Sequence, residues 1–105
     1  MEKEKLIKLL FDGKIDDATR DDCAIYLAKF IDDDVVATLI NVANDLKNEE
    51  MIRASCGESL AEIWIEMNKI DYDVLNSLEE PARTEVLGYF KHNKPEWYLE
   101  YEKRY

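Results

Sequence analysis

Glycine, proline, cysteine and histidine are all scarce: three, two, two and one among 105 residues. So few breakers, set against 47% hydrophobic residues, disfavour both a disordered chain and a loop-rich β-sandwich. Two cysteines cannot build a disulfide framework; Cys23 and Cys56 fall at helical spacing among apolar residues and are expected as buried, reduced thiols. A lone His92 completes neither a zinc site of the CxxC type nor the Glu-x-x-His pairs of a di-metal helical bundle, so no metal or cofactor is expected. Long hydrophobic runs are missing too. Nothing approaches the roughly 20 apolar residues of a membrane helix, and the opening Met-Glu-Lys-Glu-Lys does not read as a cleaved signal, which points to a cytoplasmic protein. Neither Gly-x-Ser-x-Gly nor a glycine-rich phosphate loop occurs. The acids from Asp12 to Asp22 lack the glycine that a calcium loop needs at its turn. An enzyme is therefore not expected.

Positive charge is in deficit: 14 basic against 24 acidic side chains give a formal net charge of -10. Each third of the chain carries an excess of acid, so the acidity belongs to the folded domain and not to a detachable tail. That field repels phosphate backbones and anionic lipid, which argues against nucleic acid and membrane as partners and leaves a basic protein as the favourable complement. A net charge of this size also serves solubility alone. The length suits one domain over residues 1–105, whose folding hides roughly 60–70% of the surface of the unfolded chain.

What the sequence does contain is an internal repeat. A shift of 33 residues superposes Leu6-Ile7 on Leu39-Ile40, Arg20 on Arg53, Cys23 on Cys56 and Leu27-Ala28 on Leu60-Ala61. A further shift of 30 brings Arg83, Val86 and Phe90 under Arg53, Cys56 and Leu60. An acidic pair precedes each arginine: Asp16-Asp17, Glu49-Glu50 and Glu79-Glu80. Three units follow, at approximately 2–32, 33–68 and 71–94, with a cap at 95–105. Each unit has the three- and four-residue apolar spacing of two helices. Front helices carry Leu6, Leu9 and Leu10, then Leu39, Ile40, Val42, Ala43 and Leu46; back helices carry Cys23, Leu27, Phe30 and Ile31, then Cys56, Leu60, Ile63, Trp64 and Met67, then Val86, Leu87 and Phe90. The third front helix is truncated to about residues 73–78. A helix pair cannot bury both of its apolar faces alone, so the units are expected to stack into a short α-solenoid. A plain helical bundle is the alternative.

The acid-acid-x-x-Arg-x-x-Cys/Val-x-x-x-Leu/Phe units, covering residues 6 to about 92, resemble those of HEAT-like repeat proteins. The resemblance implies an all-α, right-handed solenoid of about three helix pairs with an aromatic carboxyl-terminal cap. It also implies a structural ladder in which Asp16, Asp17, Glu49, Glu50, Glu79 and Glu80 pair with Arg20, Arg53 and Arg83.

On a wheel of 100° per residue, Leu60, Ile63 and Met67 cluster with Cys56, Ala54, Gly57 and Ala61 lie on one flank, and the other flank carries Ser55, Glu58, Ser59, Glu62 and Glu66. Its equivalents in the other units include Asp22 and Tyr26, then Glu85 and Tyr89. Aligned back helices would present one acidic strip with two tyrosines, suited to a basic protein because carboxylates accept Arg and Lys while tyrosines add amphipathic area. The structural alternative is a solvated helix face. Trp97, Tyr98, Tyr101 and Tyr105 share helical spacing and serve either as the cap or as an alternative partner-binding surface. Size, acidity and repeat type resemble immunity proteins of bacterial toxin systems, including those of contact-dependent inhibition. That implies a non-enzymatic antitoxin neutralising a basic, nuclease-type toxin as cognate partner. An adaptor or assembly scaffold is the second reading and a small helical enzyme the third.

Overall fold

The structure, a computed structural model, describes residues 2–105. Helix starts coincide with residues able to cap them. The carboxylates of Asp16, Asp32 and Asp71 accept the backbone N–H groups of Thr19, Val35 and Val74, and Glu49 accepts that of Met51, each satisfying a donor that the first helical turn leaves open. These caps open α2 (Asp17–Tyr26), α3 (Asp33–Asn44), α5 (Tyr72–Ser77) and α4 (Glu50–Met67). Before them lies α1 (Lys3–Phe11), and after them α6 (Ala82–Asn93) and α7 (Pro95–Arg104). Pro95 occupies the first turn of α7, where its missing N–H leaves no bond unmade. The fold is all-α, with seven α-helices and no strand among the described residues.

Helices pack in sequence pairs, α1 on α2, α3 on α4 and α5 on α6. The second members form a row in which α4 lies between α2 and α6. Their partners are less regular: α1 packs beside α3, whereas α3 and α5 make no comparable contact. The chain closes with α7 packed on α6. The molecule is elongated accordingly, 41 × 24 × 20 Å. Its core runs the whole length, from Leu6 and Leu10 through Leu27, Leu39, Ile52, Leu60 and Ile63 to Leu75, Val86 and Phe90. A fully buried aliphatic side chain of this kind contributes about 1.5–3 kcal/mol of transfer free energy, so the row is held mainly by apolar burial.

Two residues of α4 fix how closely that row packs. A Cβ placed on Gly57 would lie 2.6 Å from the Ala82 carbonyl oxygen and 2.8 Å from the Ala82 Cα. Helices α4 and α6 thus approach to backbone distance at a point that only glycine permits. On the other side of α4, Ser59 donates to the Ala24 carbonyl oxygen at 2.7 Å, tying α4 to α2.

The arginines hold the turns that join front and back helices. Arg20 Nε donates to Leu10 O (2.9 Å) and its Nη2 to Asn48 Oδ1 (2.7 Å). Arg53 Nε donates to Asn48 O (3.0 Å) and its Nη1 to Glu80 O (2.6 Å). Both guanidinium groups are buried. Each therefore bonds the turn before its own helix and reaches the turn of the next pair. Arg83, half-buried, bonds Asn76 O at 3.1 Å and forms an ion pair with Glu80 at 3.1 Å.

These bonds correct the acid–arginine ladder in its partners. Of the expected pairs only Glu80 with Arg83 forms among the described residues, Glu80 also accepting from Thr84; Asp16 and Glu49 are turned to helix caps, Asp17, Glu50 and Glu79 are exposed, and the buried donors of Arg20 and Arg53 are met by carbonyls and Asn48. A carboxylate is drawn to the nearer open N–H groups of a helix start, where the helix dipole also favours it. Three apolar placements also change. Phe30 and Ile31 lie beyond α2, whose end tightens into a 3-10 turn at Leu27–Lys29, and Ile31 is exposed. Leu46 follows the end of α3 and is exposed in the turn. In both places the chain must reverse within a few residues to reach the next capped helix.

Candidate partner-binding surface

Spacing of four residues puts Glu58, Glu62 and Glu66 along one face of α4. Because α4 lies between α2 and α6, side chains on their outward faces join that line. Asp22, Ile25 and Tyr26 are exposed on α2, as is Glu85 on α6, with Tyr89 half-buried beside it. Burial pushes the Tyr89 hydroxyl above its ordinary range, and the nearby carboxylates of Glu62, Glu58 and Glu66 push it further. The field of the α4 acids thus reaches across to α6. The Glu62 carboxyl is raised by partial burial and then by Glu58 one turn away.

None of Glu58, Glu62, Glu66, Asp22 or Glu85 takes part in an ion pair among the described residues; the ion pairs there lie elsewhere. At the α2 end, Lys29 sits over the Tyr26 ring at 5.8 Å from its centroid. Like charges crowded on one face with no cation between them raise the energy of the free protein and lower that of a complex with a basic surface. Tyr26 and Ile25, each half exposed, add apolar area at one end.

Ser59, expected on this strip, belongs elsewhere. It is 2% exposed and spent on the Ala24 carbonyl, because α2 approaches α4 from that side and turns part of the polar flank into an interface. Ser55 is half-buried. The strip that remains accessible is Asp22, Tyr26, Glu58, Glu62, Glu66, Glu85 and Tyr89. Ile25, on the same flank of α2, adds an exposed apolar side chain beside Tyr26.

No protein-family model matches this chain, and comparison with curated proteins and with solved structures gives no significant match.

The carboxyl-terminal aromatics face mostly inward. Trp97 packs edge-on against Phe90 with ring centroids 5.2 Å apart, and Tyr101 is buried with its hydroxyl donating to Asn76 Oδ1 at 2.8 Å. Tyr98 is half-buried beneath the Lys91 ammonium group at 5.6 Å. Tyr105, half exposed, donates to Asp73 Oδ1 at 2.6 Å and lies 5.1 Å from the Tyr101 ring. Three of the four rings therefore cover α6 and α5, and what they leave outward is chiefly Leu99 and one face of Tyr105.

Chemistry has less to work with. Among the described residues no three His, Cys, Asp or Glu side chains converge to hold a metal ion, and no helix is long and apolar enough to cross a membrane. The Cys23 thiol is raised by burial and by Asp22; Cys56, more deeply buried and near Asp21, is pushed up to about 12, Arg20 pulling weakly the other way. Thiols in that state are poor nucleophiles.

Proposed function

We propose that this chain is a non-enzymatic protein-binding module, built as a short right-handed α-solenoid of HEAT-like helix pairs, that receives a basic protein along the faces of α2, α4 and α6. Its sharpest form is an immunity or antitoxin protein that neutralises a basic, nuclease-type toxin. The observation that carries the reading is the line of Glu58, Glu62 and Glu66 beside Tyr89, none of which forms an ion pair among the described residues. Carboxylates with no structural partner are available to Arg and Lys of another protein, and tyrosines at both ends offer the amphipathic anchors common at interfaces.

Affinity capture of the partner from native cells, followed by binding kinetics over a salt series, tests this. A basic toxin whose association slows steeply with salt is the expected result. An acidic or neutral partner with salt-independent association rules out the acidic strip as the docking surface, and a basic but non-toxic enzyme in constitutive complex replaces the antitoxin form with a scaffold.

A further inference from the structure

The first members of the helix pairs do not form a complete layer. Helix α3 has 12 residues and α5 only 6, a deficit of about 9 Å of helix at 1.5 Å per residue. Where a longer third front helix would continue, a groove of about 530 Å³ opens instead. Its apolar lining includes Val36, Ile40, Trp64, Met67, Ile70 and Val74. Val36 and Ile40 stand one turn apart on α3, on the side that α5 leaves uncovered, and both are only half-buried. One wall is fixed by α7, whose Arg104 guanidinium lies 4.2 Å from the centre of the Tyr72 ring and is held by Glu100 at 2.8 Å.

Charge at the rim is unbalanced. Asp33, Asp71 and Asp73 border the groove together with Lys69 and Arg104. Arg104 is already neutralised by Glu100, which leaves three carboxylates against Lys69. On α4, Trp64 lies about 200° round the helix from Glu62, so this groove and the acidic strip face different directions.

We infer that the groove is a receptor for one amphipathic helix of a partner protein, carrying Lys or Arg beside its apolar stripe. Such a helix would occupy the place of the missing front-helix turns, set aliphatic side chains at i, i+3 or i+4 and i+7 between Val36, Ile40 and Ile70, and bring its cations to the rim acids. A small neutral molecule would gain nothing from three carboxylates at the mouth, and a second copy of a chain carrying -10 charges would be repelled there. The inference does not depend on the acidic strip.

Trp64 provides the readout. In the full chain carrying Trp97→Phe it is the only tryptophan, and a stapled 14-residue helical peptide with Leu at i, i+3, i+4 and i+7 and Lys on the flanks is titrated against its emission. Saturable binding is expected, weakened at least about tenfold when the peptide lysines become Glu. Ile40→Glu in the protein should abolish it, and the exposed Asp33→Lys, which leaves the apolar floor intact, should weaken it at least about threefold. Circular dichroism checks that each variant stays folded. The inference fails if the Lys peptide does not bind, if the Lys and Glu peptides bind alike, or if both protein variants bind as the parent does. It also fails if N-phenyl-1-naphthylamine fills the site and the Lys peptide cannot displace it, or if sedimentation shows a dimer that Ile40→Glu dissolves. The first of these last two outcomes marks a small-molecule pocket and the second an interface between copies. Loss of binding through Glu58→Lys and Glu62→Lys plays no part in this test, so it stands or falls separately from the proposed function.

Discussion

Two clusters of charge border the same row of helices and are used in opposite ways. Along the turns, the guanidinium groups of Arg20 and Arg53 are buried, and their hydrogen bonds go to Leu10, Asn48 and Glu80 within the chain. Across the outer face of α4, Glu58, Glu62 and Glu66 have no ion-pair partner among the described residues, and the Glu62 carboxyl is raised by partial burial and then by Glu58. The chain has four arginines, and three of them hold turns. The excess of acid on this face is therefore what remains after structure has taken most of the arginine. The arginines are spent inside the fold, whereas the acids of this face, unlike the capping Asp16, Asp32, Glu49 and Asp71, are the ones proposed to meet a partner.

The comparison is broken most severely by removing a buried arginine. Arg53→Ala leaves the partly buried carbonyls of Asn48 and Glu80 without their donor and should cost about 1–3 kcal/mol, while the exposed Lys47→Ala should stay within about 0.5 kcal/mol. Urea unfolding of both variants measures the difference; equal, negligible losses would mean that the buried guanidinium bonds do not hold the turns. Arg83→Ala, whose ion pair is half exposed, should fall between the two.

Next in size is the close approach of α4 and α6. Gly57→Ala forces a Cβ into the Ala82 backbone and should destabilise by about 1–3 kcal/mol although alanine is the better helix former. A rise in Tm for this variant would show that the two helices can separate freely.

Much of this was legible before the fold. The 33- and 30-residue offsets picked out Arg20, Arg53 and Arg83 as equivalent, and the helical spacing found most of the core, because one apolar stripe per helix suffices when each helix packs on its neighbours. Glu80 with Arg83 was legible, but the partners of Arg20 and Arg53 were not: a sequence shows that acids precede each arginine, but not that helix starts claim those acids first. Ser59 was misplaced for a related reason. A helix wheel separates polar from apolar flanks, yet cannot tell which polar flank a neighbouring helix will cover. Ile31 and Leu46 continued an apolar rhythm past the ends of α2 and α3, into the short turns that lead to the next capped helices at Asp32 and Glu49. The groove beside α3 had a faint signal in the shortened third front helix, without any sign that its walls would stay apart.

The two cysteines sharpen the account with a smaller effect. Cys23 and Cys56 are buried on α2 and α4 and unbonded, with Cys56 raised to about 12. Ellman's reagent should find both thiols only after denaturation. Rapid native reaction of both would contradict the burial of the row.

The smallest expected effect is the energetic signature of the acidic face. A carboxyl whose folded pKa lies above its unfolded value binds protons more readily when folded. Glu62 therefore contributes most below the ordinary glutamate range, and that contribution is lost as pH rises through its raised folded value. Glu62→Gln should raise Tm by about 1–3 °C at pH 7, with the gain vanishing toward pH 4. A lower Tm at neutral pH would mean that Glu62 serves the fold.

The measurement that bears most directly on the proposed division between structural arginines and partner-binding acids is the association rate of the captured partner with Glu58→Lys/Glu62→Lys across a salt series. Both residues lie off the core stripe of Cys56, Leu60 and Ile63, so the double variant should keep its helical content while associating at least about tenfold more slowly and with a flatter salt dependence. An unchanged rate with an unchanged salt slope in a folded double variant would contradict it.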